Sequence, residues 1–143
     1  MISRSVERGE LLMKLYESEL KVLEVLWEQG DMRAARVCDV LAEKVGWNPN
    51  TTYTVMKKCI HKGYVERKDP GFWCHPLITK DEVRSSQTRD LVNRLFGGSG
   101  KKLFQEMIKS EDCLTDEERK EIYDLLVRKQ KEYEEEKKRN GER

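Results

Sequence analysis

Between Pro49 and Lys62 the chain carries Asn50, Thr51, Thr54, Lys57, Lys58 and His61 at intervals of three and four residues. On a helix that spacing gathers them on one face. Amides and hydroxyls so placed hydrogen-bond base edges and phosphate oxygens, and lysines neutralise phosphate charge. The first turn of such a helix adds backbone N–H donors for a phosphate. Taken alone, the same residues fit an ordinary solvated helix face equally well. The local charge tips the balance. From Asn48 to Lys68 there are five basic residues (Lys57, Lys58, Lys62, Arg67, Lys68) against one acid, Glu66, whereas from Lys80 onward sixteen basic residues meet sixteen acidic ones. The net charge of +1 hides this asymmetry.

Other reactive groups form no catalytic pattern. Cys74-His75 with His61 or Cys59 has the chemistry of a metal site. Neighbours on a strand point to opposite faces, however, so a buried thiol and an exposed imidazole are expected. Asp116-Glu117-Glu118 falls at a helix start, where the helix dipole favours carboxylates for structural reasons. There is no Gly-rich phosphate loop, nucleophile elbow or metal-spaced histidine pair. We therefore expect no enzyme, no cofactor and no metal. Cys38, Cys59, Cys74 and Cys113 lie 21, 15 and 39 residues apart with no C-x-x-C pair, the pattern of free, reduced thiols. With no apolar signal core and no membrane-length apolar run, a cytosolic protein without membrane insertion is expected.

Three helices must carry the polar face. Leu20, Leu23, Leu26 and Trp27, widened by Val22 and Val25, predict a helix over 17–29, closed by Gly30. Val37, Val40, Leu41 and Val45 predict a second over 34–45, closed by Gly46. Asn48 as cap and Pro49 at the first position open a third, which runs to Lys62 and buries Thr52, Val55, Met56, Cys59 and Ile60. Two strand candidates, 64–68 and 72–77, flank the turn Asp69-Pro70-Gly71. Pro76 is expected to confine the second to a sheet edge. Thr79-Lys80-Asp81-Glu82 is a capping box for a helix to Phe96 carrying Val83, Leu91, Val92, Leu95 and Phe96. Gly97-Gly98-Ser99-Gly100 interrupts it. A short helix over 101–109 follows, and Thr115-Asp116-Glu117-Glu118 opens the last. Residues 1–14 read as a frayed leader and those beyond Lys131 as a solvated tail.

This order predicts a mainly α protein with a small β-hairpin: a winged helix-turn-helix DNA-binding domain over 1–78, a helical dimerisation domain over 79–131 and a disordered tail over 132–143. The third helix would enter the major groove and the hairpin would be the wing, adding Arg67 and Lys68 to the DNA-binding set. A chain of 143 residues with 38% charge is expected to bury further apolar surface against a second copy. The rival reading is a winged helix that binds protein, and salt separates the two, since binding through lysines weakens steeply as salt rises. Trp27, Trp47 and Trp73 are expected to pack in the core or hairpin. Trp73, beside the wing turn, is the one placed to touch DNA or the partner domain.

ELKVLEVLW from Glu19, GWNPNTTYTVMKKCIHKGY from Gly46, PLITKDE from Pro76, NRLFGG from Asn93 and LTDEERKEIYDLL from Leu114 carry a resemblance to the penicillinase-repressor family, the BlaI/MecI/CopY group. It implies a dimer on palindromic operator DNA, released by an inducing event: cleavage by a membrane-bound sensor protease in penicillinase repressors, metal binding in the copper-responsive relatives. It implies recognition positions at Asn50, Thr51, Tyr53, Thr54, Lys57 and Lys58. The dimer positions carried over are Leu95, Phe96, Leu103, Phe104, Met107, Ile122, Leu125 and Leu126. Departures are specific. Tyr16 stands where a Ser or Thr cap pairs with the residue at Glu19, which predicts a looser helix start. Arg33 replaces a second hydroxyl cap, for which Asp31 could substitute. Tyr53 stands where a basic residue is common. Glu106-Met107 occupies the position of the Asn-Phe cleavage bond, and no cysteine follows Cys113 to form a copper cluster.

Overall fold

The computed structural model describes residues 15–141. The expected leader, 1–14, and the last two residues of the expected tail lie outside them. Helices α1 (Glu17–Gln29), α2 (Ala34–Val45) and α3 (Pro49–His61) form where the apolar spacing predicts them. Their apolar stripes meet in one core of Val22, Leu23, Leu26, Val37, Leu41, Val55 and Met56, sealed by Tyr64 and Val65. Val45 departs from its expected place: it is exposed, since the helix ends there and Gly46 turns the chain away in a left-handed conformation. Trp27 donates from its indole Nε1 to the carbonyl of Ile78 at 2.9 Å, tying α1 to the segment after the hairpin.

The sheet holds one strand more than expected. A two-residue strand, β1 (Met32–Arg33), joins β2 (Val65–Lys68) and β3 (Trp73–Pro76) in the order β1-β3-β2, all antiparallel. Two residues are too few to show an alternation, so β1 left no periodic signal. The sheet also corrects the edge assignment: β3 is central. Leu77 donates to the carbonyl of Tyr64 at 2.7 Å, so the neighbouring Pro76 faces the other flank, where β1 has already ended after pairing with Trp73 and Cys74. Proline's missing N–H is therefore harmless in a central strand.

Two expectations about helix starts are overturned. Asp31 does not cap α2; its carboxylate lies 2.8 Å from Nδ1 of His75 on β3. The carbonyl of Phe72 caps α2 instead, accepting from Ala34 N–H at 2.9 Å. The start of α1 is not loose either. The buried Glu19 carboxylate accepts from the Tyr16 backbone N–H at 3.1 Å and from Lys62 Nζ at 2.7 Å, while that ammonium lies 4.4 Å from the Tyr16 ring centroid. A tyrosine with no capping reach is compensated by a cation delivered from the end of α3.

Helices α4 (Lys80–Phe96), α5 (Gly100–Lys109) and α6 (Asp116–Gly141) complete the chain. Hydroxyls open all three. Thr79 Oγ1 accepts from Glu82 N–H at 3.1 Å, Ser99 Oγ from Lys102 N–H at 3.3 Å, and Thr115 Oγ1 from Glu118 N–H at 3.1 Å. The described residues form two compact units divided between Leu91 and Val92. The reason is burial: Val83 and Ser86, on the first half of α4, belong to the interior of the first unit. Where a solvated tail was expected after Lys131, α6 continues to Gly141. That stretch is rich in the strong helix formers Lys, Glu and Arg, and i,i+3 and i,i+4 pairs such as Lys129–Glu132 and Gln130–Glu134 lace it.

Three thiols end in the core. Burial pushes Cys59 up to about 12 and Cys74 up to about 11, and Cys38 also upward. Tyr64 rises to about 12 for the same reason. Acids whose folded pKa exceeds the unfolded value keep their protons longer when folded. The stability they contribute is complete below the unfolded pKa and is lost as pH climbs towards the folded one. Urea titrations should therefore show stability falling from about pH 9 upward, by about 1.4 kcal/mol per pH unit for each group in its window; a flat profile from pH 8 to 11 would contradict the burial. In native protein at neutral pH only the exposed Cys113 should react promptly with Ellman's reagent, the other three thiols appearing on denaturation.

Candidate nucleic-acid interface

The first unit presents α3 as its outward polar element. Asn48, in extended conformation, accepts from Thr51 N–H at 2.9 Å and from the Thr51 hydroxyl at 3.1 Å, fixing the helix start next to Pro49. Thr52, Val55, Met56 and Cys59 are buried as expected, and Ile60 is half-buried. The other face is open. Asn50, Thr54, Lys57, Lys58 and His61 are exposed and Thr51 is half-buried. Thr54 donates its hydroxyl proton to the Asn50 carbonyl at 2.8 Å, so this oxygen meets a ligand as an acceptor. Lys62, counted with the basic cluster, is turned away from that face by its pairing with Glu19.

Tyr53 behaves differently from its neighbours. It is half-buried against the core, its ring centroid 6.0 Å from that of Phe72 at an interplanar angle of 54°. Phe72 sits in the wing turn with a φ of 53°, strained for a bulky side chain and held there by its bond to Ala34 and its packing on Tyr53. Arg67, on β2, covers the same ring: its guanidinium carbon lies 3.7 Å from the Phe72 centroid. Asp69 accepts from Arg67 Nε at 3.0 and 3.1 Å. Arg67 and Lys68 are both exposed. On the far side of the turn the Arg33 guanidinium lies 5.4 Å from the Trp73 ring centroid, and Trp73 is 41% exposed. Gly71, at a φ of 99°, fits beneath this pair; a Cβ there would come within 3.3 Å of Trp73 Nε1.

A polar, basic helix face with an antiparallel hairpin, on three helices and a three-stranded sheet, is a winged helix-turn-helix. The family model described as penicillinase repressor matches residues 15–128. The chain belongs to the penicillinase repressor family. Among similar family members, the methicillin resistance regulatory protein MecI of Staphylococcus aureus is 22% identical over 121 residues, covering 81% of this chain and 98% of that protein. The penicillinase repressor of Bacillus licheniformis is 25% identical over 115 residues, covering 79% and 89%. Two solution structures of the repressor BlaI, its DNA-binding domain and the Bacillus licheniformis monomeric form in complex with the blaP half-operator, are each 25% identical. They cover 48% of this chain and 87% of theirs, with TM-scores of 0.45 and 0.44.

Within this family frame, the α3 positions expected from sequence lie on one helix face, and Arg67 and Lys68 lie on the wing. The contacts that Arg33, Asp69 and Phe72 make about the wing turn were not read from the sequence. The Asp-Pro-Gly turn signalled a bend, but which rings and charges it brings together depends on α2 and α3. Cys74 is buried and His75 turns to Asp31, as strand alternation predicts. Among the described residues no helix is long and apolar enough to cross a membrane.

Proposed function

We propose that the chain is a cytoplasmic, homodimeric transcriptional repressor that binds a palindromic operator, controls a β-lactamase or other resistance gene, and leaves DNA on an inducing event. The single observation that carries this reading is the open face of α3, with Asn50, Thr54, Lys57 and Lys58 exposed together on a winged-helix frame in a penicillinase repressor family chain. α3 enters the major groove: Asn50 and the threonines address base edges, and Lys57, Lys58 and Lys68 meet phosphate. Residues 1–78 form the DNA-binding domain, with the first half of α4 packed onto it.

Residues 79–131 supply the dimer interface. From Val92 onward no described residue is buried in the single chain, and Leu95, Leu125 and Leu126 stand 64%, 47% and 56% exposed. Leu103, Phe104, Met107 and Ile122 are half-buried beside them. A second copy covers these side chains. Release follows when a membrane-bound sensor protease, or another inducing event, disrupts that half. Cleavage, where it occurs, falls at Glu106-Met107 on α5.

The test is selection of bound fragments from the source genome, followed by gel shifts at two salt concentrations. A palindromic fragment bound with steeply salt-dependent affinity is expected. No enrichment and no shift would turn the reading to a winged helix that binds protein. Lys57→Ala and Lys58→Ala should each weaken binding to every duplex and lower the salt slope by about one unit. Wild-type affinity and slope in both variants would remove α3 from the groove.

A further inference from the structure

Arg67 is held in an unusual way for an exposed surface arginine. Its guanidinium lies over the Phe72 ring. That ring is anchored twice, by the Phe72 carbonyl on the first turn of α2 and by its packing on Tyr53 of α3. Both oxygens of Asp69 converge on Nε alone. Among the described residues neither Nη group has a hydrogen-bond partner, so the two-pronged end of the guanidinium remains open. Tyr53 shares its helix face with Asn50 and Lys57, three and four residues away, so the platform beneath Arg67 is continuous with the recognition face.

We propose that Arg67 is a pre-oriented bidentate contact to DNA, and that Asp69 and Phe72 are its positioning residues, joining wing and recognition helix. The inference rests on the DNA-binding reading above. An ion pair as exposed as Arg67–Asp69 adds little to stability. Its main consequence is order: an arginine fixed in plane by a ring below and a carboxylate at one edge loses less freedom when it binds. The open Nη edge matches two coplanar acceptors, supplied either by a phosphodiester or by O6 and N7 of a guanine. A lysine offers one point charge and cannot replace it.

Charge and positioning predict opposite signs at Asp69. Removing a carboxylate near a polyanion should tighten binding through charge alone. If Asp69 orients Arg67, its removal weakens binding. Anisotropy titrations of the full chain would use the duplex it selects from a random-sequence library and a scrambled duplex of equal length. The proteins are wild type, Arg67→Lys, Asp69→Ala and the double variant, each first checked for a wild-type melting temperature. Arg67→Lys is expected to lose about tenfold in affinity, Asp69→Ala several-fold, and the double variant no more than Arg67→Lys. Equal loss on both duplexes assigns the contact to phosphate; loss confined to the selected duplex assigns it to a guanine edge; either supports the proposal. Wild-type affinity in Arg67→Lys, tighter binding by Asp69→Ala, or an undiminished Asp69→Ala loss in the Arg67→Lys background would overturn it. The last result would make Asp69 a turn residue only. A wild-type protein that binds neither duplex would overturn the DNA reading together with this one, whereas a binding wild type with an indifferent Arg67→Lys overturns this one alone.

Discussion

Replacing Leu125 and Leu126 together by aspartate should yield a monomer whose operator affinity is lower by about 10²- to 10⁴-fold, the advantage that linking two half-site contacts confers. The argument begins with burial. The second unit, from Val92 on, buries none of its described residues, yet α6 carries Ile122, Tyr123, Leu125 and Leu126 within five residues. Phe104, Ile108, Leu114, Ile122, Tyr123 and Leu126 line an apolar cavity of about 270 Å³ between α5 and α6. A small unit with this much open apolar surface is short of the burial a stable fold needs, and the proposed second copy would supply it. Carboxylates at 125 and 126 would have to be desolvated in that interface. Light scattering should report the monomer mass, and gel shifts should report weak half-site binding. A variant that stays dimeric would place the interface elsewhere, and a monomer with undiminished affinity would detach dimerisation from operator binding.

Lys62→Met should destabilise the first unit by about 3 kcal/mol, because it strands the buried Glu19 carboxylate without its cation. Glu19 is fully buried and, among the described residues, its second oxygen, Oε2, has no hydrogen-bond partner, so the neutral Tyr16 N–H on Oε1 is left to offset the lost ammonium. Met fills much of the same space, which separates loss of charge from loss of packing. The partner test is the double variant Glu19→Gln/Lys62→Met, which should recover part of the loss because no uncompensated charge remains buried. Urea denaturation monitored by tryptophan fluorescence measures both. A Lys62→Met protein as stable as wild type would show that water reaches Glu19. The same pair ties the start of α1 to the end of α3, so the destabilised protein should also bind DNA less well.

The helices were legible because their signals are local. A cap followed by proline at Asn48-Pro49, terminal glycines at Gly30 and Gly46, and capping boxes at Thr79 and Thr115 act within four residues, and each stands where the spacing placed it. The polar face of α3 was legible for the same reason, since one helix turn decides which side chains share a side. β1 was not, because two residues carry no period; nor was the central place of β3, because proline's cost depends on which flank holds a neighbour. Reading the tail as disordered followed its charge, whereas helix propensity and side-chain pairs carry α6 to Gly141.

By itself, the sequence determined the order of elements, the buried and open faces of α3, and the resemblance to the penicillinase repressors. These depend on spacing along one chain and on motifs that need no partner. Only the tertiary structure decided which residues serve those elements. Lys62 was withdrawn from the basic face to neutralise Glu19, 43 residues earlier. Asp31 left its expected helix cap for His75, and the wing supplied the cap through Phe72. Arg67 was laid on a ring that is itself held by α2 and α3. Each is a contact between segments distant in sequence, made only when the hydrophobic core brings the helices and the sheet together.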